Sequence, residues 1–308
     1  MKILITGGTG FIGKNLVPYL KNKGYEVFLL IQEHEIKKIK EKKLNAILWK
    51  SLLERTNIED IYGNNINKID ITIHLASYGV NSLEKDLDKM LNVNINLSLK
   101  LVENLYKLNC NKIILTGSGF EYKYNGKKLT EEDLLYPNTL YSAAKSSSIA
   151  LAQSLAKIKN IRTITLRLFN IFGEYENKNR LLPSLFLNKD KNNIPFTFGE
   201  QIRDFLYIKD VVLAYEKVLL KDVFDDEIYN ICSSKETNIH DFIILAAEKI
   251  GIPIKNLKFG EISYREGEPM YIVGENRKFS EKFNWKQEYS LSEGIELMYK
   301  NCGEENEI

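Results

Sequence analysis

Tyr141 and Lys145 stand four apart in the run YSAAK, and Ser118 lies upstream of them in LTGSGF. On a helix, residues four apart share one face, one turn apart. A free tyrosine has a pKa of roughly 10 and moves protons poorly at neutral pH. An ammonium beside it favours the phenolate and lowers that value. A serine hydroxyl at the end of a strand can hydrogen-bond a carbonyl or alcohol oxygen. Together the three groups can move a proton on or off a substrate oxygen while another agent exchanges hydride with the carbon. A Tyr/Lys pair at this spacing is common on exposed helices, so its meaning depends on what else the chain provides.

The chain provides a glycine-rich turn at its start. Lys2 to Thr6 is an apolar, β-favouring run, and Gly7, Gly10 and Gly13 follow before a helix-like stretch, Lys14 to Lys23. Read from Gly8, the same run is G-x-G-x-x-G. A turn of this kind between a first strand and a first helix is built to hold a diphosphate. Gly7 allows the tight turn, Gly10 lets the pyrophosphate approach the backbone, and Gly13 lets the helix pack on the strand. The helix N-terminus adds unpaired N–H groups and a favourable dipole. With a dinucleotide site ahead of it, and Ser118 between, the Tyr/Lys pair reads as hydride-transfer machinery.

The elements that must position these groups alternate. Strands are expected at Ile3–Thr6, Val27–Ile31, Ile69–Leu75, Lys112–Thr116 and Thr163–Leu168, with helices at Lys14–Asn22, Leu83–Asn109 and Tyr141–Lys159. That alternation predicts βαβ units and a parallel sheet. The leucines at 87, 91, 97, 101, 105 and 108 form a stripe along the long middle helix. Such a stripe packs in the core, and two of them on one side of a sheet can pair between subunits, which points to a homodimer. After Phe172 the pattern loosens into polar loops. Pro195–Gly199 reads as strand-like, Ile208–Leu220 as a helix, and Glu227–Ile231 as a strand returning to the main sheet. Two helices and short strands are expected from Asn238 onward.

The chain has 308 residues, 44% of them hydrophobic and 27% charged, as in a soluble globular protein. That length predicts one large and one smaller domain. A net charge of +2 exerts no global pull toward nucleic acid. The basic run Glu35–Lys43 is interleaved with glutamates and reads as a solvated helix face. Cys110, Cys232 and Cys302 include no C-x-x-C pair, so neither a disulfide framework nor a metal site is expected, and a cytoplasmic setting fits. No apolar stretch reaches membrane-spanning length.

The runs TGGTGFIG (ending at Gly13), HLAS (74–77), TGSGFEY (116–122), YSAAK (141–145), RLFNIFG (167–173), QIRDFLYIKD (201–210) and YREGE (264–268) span most of the chain. In them the chain resembles an extended short-chain dehydrogenase/reductase of the NAD-dependent epimerase/dehydratase family, whose members modify nucleotide sugars. The resemblance implies an α/β fold, with a Rossmann-type doubly wound parallel sheet and a smaller mixed α/β substrate-binding domain. The first would comprise residues 1–173 and about 205–235, the second 174–204 and 236–308. Ser118, Tyr141 and Lys145 would be catalytic, with Tyr141 the acid–base residue. Gly7, Thr9, Gly10, Phe11, Ile12, Gly13, Gln32, Leu75, Ala76 and Ser77 would hold the cofactor with Tyr141 and Lys145. Ser118, Asn170, Arg203, Arg265 and Glu268 would hold a nucleotide-diphosphate sugar. The arginines suit a diphosphate through guanidinium's fork geometry, and Glu268 would accept from the nucleotide ribose.

Departures from the family pattern narrow the activity. Dehydratases of the family carry an Asp-Glu pair directly after the strand-end hydroxyl, where this chain has Gly119 and Phe120. Bifunctional epimerase–reductases carry a cysteine two after the serine and a later histidine. This chain has Phe120, and its histidines are His34, His74 and His240. Reduction of a 4-keto-6-deoxy sugar is the expected activity, in the manner of the CDP-abequose synthase type. A 4-epimerase with tightly bound NAD is the alternative, and a non-catalytic dinucleotide sensor is a second. Ile31 and Gln32 stand where NAD enzymes place an aspartate for the adenine ribose. With Lys37 or Lys38 in reach of a 2′-phosphate, NADP(H) is the preferred expectation and NAD(H) the other, with Glu33 available to the ribose diol.

Overall fold

The computed structural model describes residues 1–80 and 84–302. By its contacts the chain divides into two compact units. The first comprises Met1–Glu121, Leu135–Arg167 and Val218–Tyr229; the second comprises Tyr122–Leu134, Leu168–Lys217 and the chain from Asn230 onward.

Six strands arise before Phe169: β1 (Lys2–Thr6), β2 (Glu26–Ile31), β3 (Asn45–Leu48), β4 (Ile71–His74), β5 (Lys112–Ser118) and β6 (Arg162–Leu168). With the strand Ile228–Ile231 they form a seven-stranded sheet in the order Ile228–Ile231, β6, β5, β4, β1, β2, β3. The pairings β1–β2, β1–β4, β2–β3 and β4–β5 are all parallel. The reversal at β1 is the signature of a doubly wound α/β sheet, so the expected fold class is what the chain adopts. Ile3, Leu4 and Ile5 have no solvent exposure. A strand covered on both faces must be apolar at every position, which is why β1 shows no alternation.

One face of this sheet is closed by a single hydrophobic cluster. Leu4, Phe28, Leu30, Ile113 and Leu115 from the strands meet Leu101, Val102, Leu105 and Leu108, and Ile149, Ala152 and Ala156. The strand residues are two apart, as period-2 geometry requires. The helix Leu140–Ile158 is capped by Thr139, whose hydroxyl accepts from Ser142 N at 3.1 Å while Ser142 Oγ accepts from Thr139 N at 3.1 Å.

The long helix expected over Leu83–Asn109 is a composite. Leu83 lies outside the described residues. The helical run starts at Leu87, capped by Asp86, passes through a π-helical segment at Leu91–Asn96, continues as α-helix over Leu97–Asn104, and ends in a 3₁₀ turn at Leu105–Leu108. The extra residues of the π segment rotate the stripe. Leu101, Leu105 and Leu108 are fully buried, whereas Leu87 and Leu91 are exposed. The strand β3 was not expected. It is a four-residue edge strand behind a lysine run, too short for a pattern to emerge.

Among the described residues the second unit contains short sheets. Thr237–Asn238, Ile202–Arg203 and Tyr271–Ile272 make one, Leu257–Phe259 and Ile194–Phe196 another, and Phe205–Tyr207 pairs with Asn170–Phe172. The strand-like Pro195–Gly199 thus narrows to Ile194–Phe196. Among the described residues three α-helices, not two, follow Asn238: Ile239–Ile250, Arg277–Phe283 and Leu291–Cys302. The buried Asp204 ties the unit together, accepting from Ser233 N (2.6 Å), Ser233 Oγ (2.8 Å), Ser234 N (3.0 Å) and Gly274 N (3.1 Å). Among the described residues, no helix is long and apolar enough to cross a membrane.

Candidate active site

The glycine-rich turn follows β1 directly. Gly7 has φ +66°, and a Cβ there would lie 2.7 Å from Ala76 N and 2.8 Å from Ala76 Cα, at the end of β4. Only glycine fits that position. At Gly13 a Cβ would lie 2.5 Å from Gly7 O and from Gly8 C, so the first helical turn can seat against the loop only without a side chain. Gly10 is different. Its backbone is extended (φ −84°, ψ −175°), and a Cβ would touch only Gly7 O, at 3.3 Å. Gly10 N-caps the helix Phe11–Asn22 with no side-chain cap, leaving first-turn N–H groups without a side-chain acceptor. A turn whose helix N-terminus has no side-chain cap, and whose Gly10 has a single close neighbour, fits a dinucleotide diphosphate.

A carboxylate returns to this turn from the end of β2. Glu35 Oε1 accepts from Thr9 Oγ1 at 3.0 Å, and its Oε2 accepts from Gln32 N at 3.0 Å. Glu33, the acid weighed from the sequence, points instead to an exposed pair with Lys50 at 3.8 Å. Lys37 and Lys38 are exposed on the helix Ile36–Glu41.

The end of β4 is held by a buried chain of hydrogen bonds. Thr6 Oγ1 accepts from Ala76 N at 3.1 Å and contacts His74 Nδ1 at 2.7 Å. His74 Nε2 contacts Ser98 Oγ at 2.7 Å, and Ser98 Oγ donates to Asn94 O at 2.6 Å. The network is self-consistent when Thr6 donates to Nδ1 and Nε2–H donates to Ser98. This tautomer is inferred from the partners. Burial keeps the ring neutral, with its pKa lowered to about 3, and the Lys145 ammonium adds to that effect. Asn94, inside the π segment, pins residue 78: its Oδ1 accepts from Tyr78 N and its Nδ2 donates to Tyr78 O, both at 2.8 Å. Sequence reading missed Asn94. The π segment it occupies is of a kind that clusters at functional sites.

Ser118 closes β5, is buried, and its Oγ accepts from Phe120 N at 3.2 Å. The helix carrying Tyr141 and Lys145 packs against β5 and against the 3₁₀ turn Gly119–Glu121 that follows Ser118. Lys145 is buried, and loss of hydration lowers its pKa to about 8, against the opposing pull of the Glu121 carboxylate. Glu121 is itself fully buried. Its Oε1 accepts from Ser118 N at 2.6 Å, and its Oε2 accepts from Arg167 Nε at 3.2 Å. Neither Glu121 nor Arg167 was singled out from the sequence, where an acid three after a serine carries no signal.

In the second unit, Arg203 Nη2 pairs with Glu268 Oε1 at 2.9 Å, and Nη1 donates to Ile202 O at 3.0 Å. Two residues expected on one ligand thus meet directly. Arg265 lies exposed on the same turn, its carbonyl accepting from Glu268 N at 3.0 Å. Asn170 is buried, with Nδ2 unpartnered. The Tyr124 hydroxyl is also buried and unpartnered. Burial pushes its pKa to about 12, opposed by the Arg203 charge and reinforced by that of Glu268. Sequence reading passed over Tyr124.

The chain is 27% identical to CDP-abequose synthase of Salmonella typhimurium, over 97% of each chain. It is 29% identical to a putative UDP-glucose 4-epimerase of Methanocaldococcus jannaschii, over 95% of each. Its fold superposes with a TM-score of 0.80, at 25% identity and over 99% of each chain, on UDP-glucuronic acid 4-epimerase from Bacillus cereus in complex with UDP-glucuronic acid and NAD. Residues 3–232, from β1 through the sheet's last strand, match one family as a whole, and the chain belongs to the NAD dependent epimerase/dehydratase family.

Proposed function

We propose that this protein is a reductase of a nucleotide-linked 4-keto-6-deoxy sugar. The observation that carries the reading is the turn after Ser118. Gly119 and Phe120, the two residues directly after Ser118, carry no acid to remove water from the sugar, and the acid that ends the turn, Glu121, is taken up by Ser118 N and Arg167, while Ser118, Tyr141 and Lys145 are kept on adjoining elements. The likeness to CDP-abequose synthase supports the same reading. The nicotinamide cofactor, when bound, supplies the hydride that the C4 carbonyl carbon accepts. Tyr141 gives its phenolic proton to the C4 oxygen, so that the carbonyl becomes an alcohol. Ser118 donates to the same oxygen and orients it, and the Lys145 ammonium favours the phenolate that remains. Arg203 and Arg265 take the diphosphate, Glu268 the ribose, and Asn170 a phosphate oxygen.

For the cofactor, the Thr9–Glu35 contact supports NAD(H) over the NADP(H) expected from Ile31 and Gln32, because a carboxylate against the glycine-rich turn repels a 2′-phosphate. NADP(H) is the second reading, resting on the exposed Lys37 and Lys38. Glu35→Ser shifts the kcat/KM ratio toward NADPH if this is right; an unchanged ratio refutes it. Leu87, Leu91, Leu140, Leu151 and Ile158 are exposed on helices, and they support a homodimer, read out by sedimentation.

The deciding assay mixes the protein with NADH or NADPH and a CDP-, GDP- or dTDP-linked 4-keto-6-deoxyhexose. Stoichiometric cofactor oxidation with a new C4 hydroxyl supports the proposal. Interconversion of two saturated UDP-hexoses without added cofactor overturns it in favour of the 4-epimerase, the reading that the Methanocaldococcus relative supports.

A further inference from the structure

We propose that Glu121, clamped by Arg167, is a positioning residue that fixes the Ser118 backbone and presents its carboxylate charge to Lys145. This rests on the reading of Ser118, Tyr141 and Lys145 as the proton-transfer groups. Glu121 has no solvent exposure and Arg167 only 2%. A buried ion pair is weak as a source of stability, since a well-packed apolar pair of similar volume often does as well or better. Its presence directly beneath Ser118 therefore asks for another role.

The geometry supplies one. Each Glu121 oxygen has its own partner: Oε1 takes Ser118 N and Oε2 takes Arg167 Nε. The short 2.6 Å bond to the Ser118 amide fixes where β5 ends, and with it the Cα that carries the hydroxyl. Gly117 is fitted to the pair, since a Cβ there would lie 2.9 Å from both Glu121 Oε1 and Arg167 Cγ. The run G-S-x-x-E is thus one unit: the glycine makes room for the acid that holds the serine.

Lys145 faces this acid from the helix Leu140–Ile158. His74 on β4 also feels the Lys145 charge and is neutral, Tyr141 stands one helical turn away, and Arg167 is bonded to Glu121. Of these, Glu121 is the group that opposes the loss of the Lys145 proton on burial. Without it the lysine deprotonates at lower pH and its effect on Tyr141 goes with it.

The test compares Glu121→Gln, Glu121→Asp and the double variant Glu121→Gln/Arg167→Met in the full-length protein. Gln keeps an acceptor for Ser118 N but removes the charge, and the double variant avoids stranding Arg167. Two measurements are made: the pH profile of turnover, and the pH dependence of unfolding, in which Lys145 titration is seen without activity. Loss of the charge moves the alkaline limb of the profile, and the Lys145 titration in unfolding, down by about one pH unit. Glu121→Asp keeps the titration near its parent value while turnover falls about tenfold, because the shorter side chain cannot reach Ser118 N. Parent-like profiles and titration in the Gln variants refute the electrostatic role. If the Gln variants do not fold, Glu121→Asp decides, and parent-level turnover there overturns the positioning role. Should Tyr141→Phe prove fully active, the catalytic reading fails, while the unfolding titration still reports on Glu121.

Discussion

Gly10 and Gly7 sit three residues apart in one turn, yet alanine should do different things at each. At Gly10 the backbone lies in a region open to alanine, and a new Cβ meets one atom, Gly7 O, at 3.3 Å. Gly10→Ala should therefore change fold stability by less than about 1 kcal/mol, with the reduced freedom of the unfolded chain offsetting the contact. The methyl group would stand on the N-cap residue of the helix, with Gly7 O its one close neighbour. If a diphosphate sits there, one charge-assisted N–H contact is lost, about 1.5–3 kcal/mol, or roughly ten- to a hundredfold in affinity. At Gly7 the left-handed backbone alone costs an alanine about 1–2 kcal/mol. The Cβ must also displace the Ala76 backbone from 2.7 Å. Gly7→Ala should lower Tm by roughly 4 °C or more. The assay pairs thermal unfolding with titration of NADH and NADPH, followed by fluorescence. Cofactor affinity within twofold of the parent in Gly10→Ala, at unchanged Tm, would refute the placement of the diphosphate.

Tyr141→Phe should bind cofactor as the parent does and lower turnover by roughly 10² or more; steady-state kinetics with a 4-keto sugar checks it, and turnover within a few-fold of the parent removes Tyr141 from the chemistry. Lys145 titrates at about 8 in the fold against 10.5 when solvated, so the unfolded chain binds more protons between those values and stability should rise with pH across that window, by up to about 3 kcal/mol. Below pH 8 that cost is present in full, so Lys145→Met should be more stable than the parent at pH 7 and should lack the alkaline rise; denaturant unfolding from pH 7 to 10.5 measures both. Arg203→Ala should weaken nucleotide-sugar binding by roughly 1.5–3 kcal/mol and leave cofactor affinity unchanged in calorimetric titration, whereas cofactor loss would show that the phosphate assignment is misplaced.

The sheet was legible because parallel strands covered on both faces must be continuous apolar runs, and β1, β2 and β5 are such runs. β3 was not, since four residues at an edge leave no pattern. The helix of YSAAK was legible from its length and spacing, and the turn at Gly7–Gly13 from its place between a strand and a helix. What stayed hidden is pairing across distance. Glu121 and Arg167 are 46 residues apart, Thr9 and Glu35 are 26, and Arg203 and Glu268 are 65. A sequence shows each charge but not the partner that the fold brings to it. The π segment was hidden too: its Asn94 bonds to the backbone of residue 78, a distant contact that no local preference encodes.

The chain changes unit five times, after Glu121, Leu134, Arg167, Lys217 and Tyr229. A nascent chain leaving the ribosome therefore completes neither unit early. Synthesis up to Lys217 still lacks the edge strand Ile228–Ile231, and Asp204 waits for Ser233, Ser234 and Gly274 before its carboxylate is satisfied. Neither half can be inherited, swapped or produced as one contiguous fragment. A single crossover anywhere in the gene therefore leaves at least one unit assembled from two parental sequences.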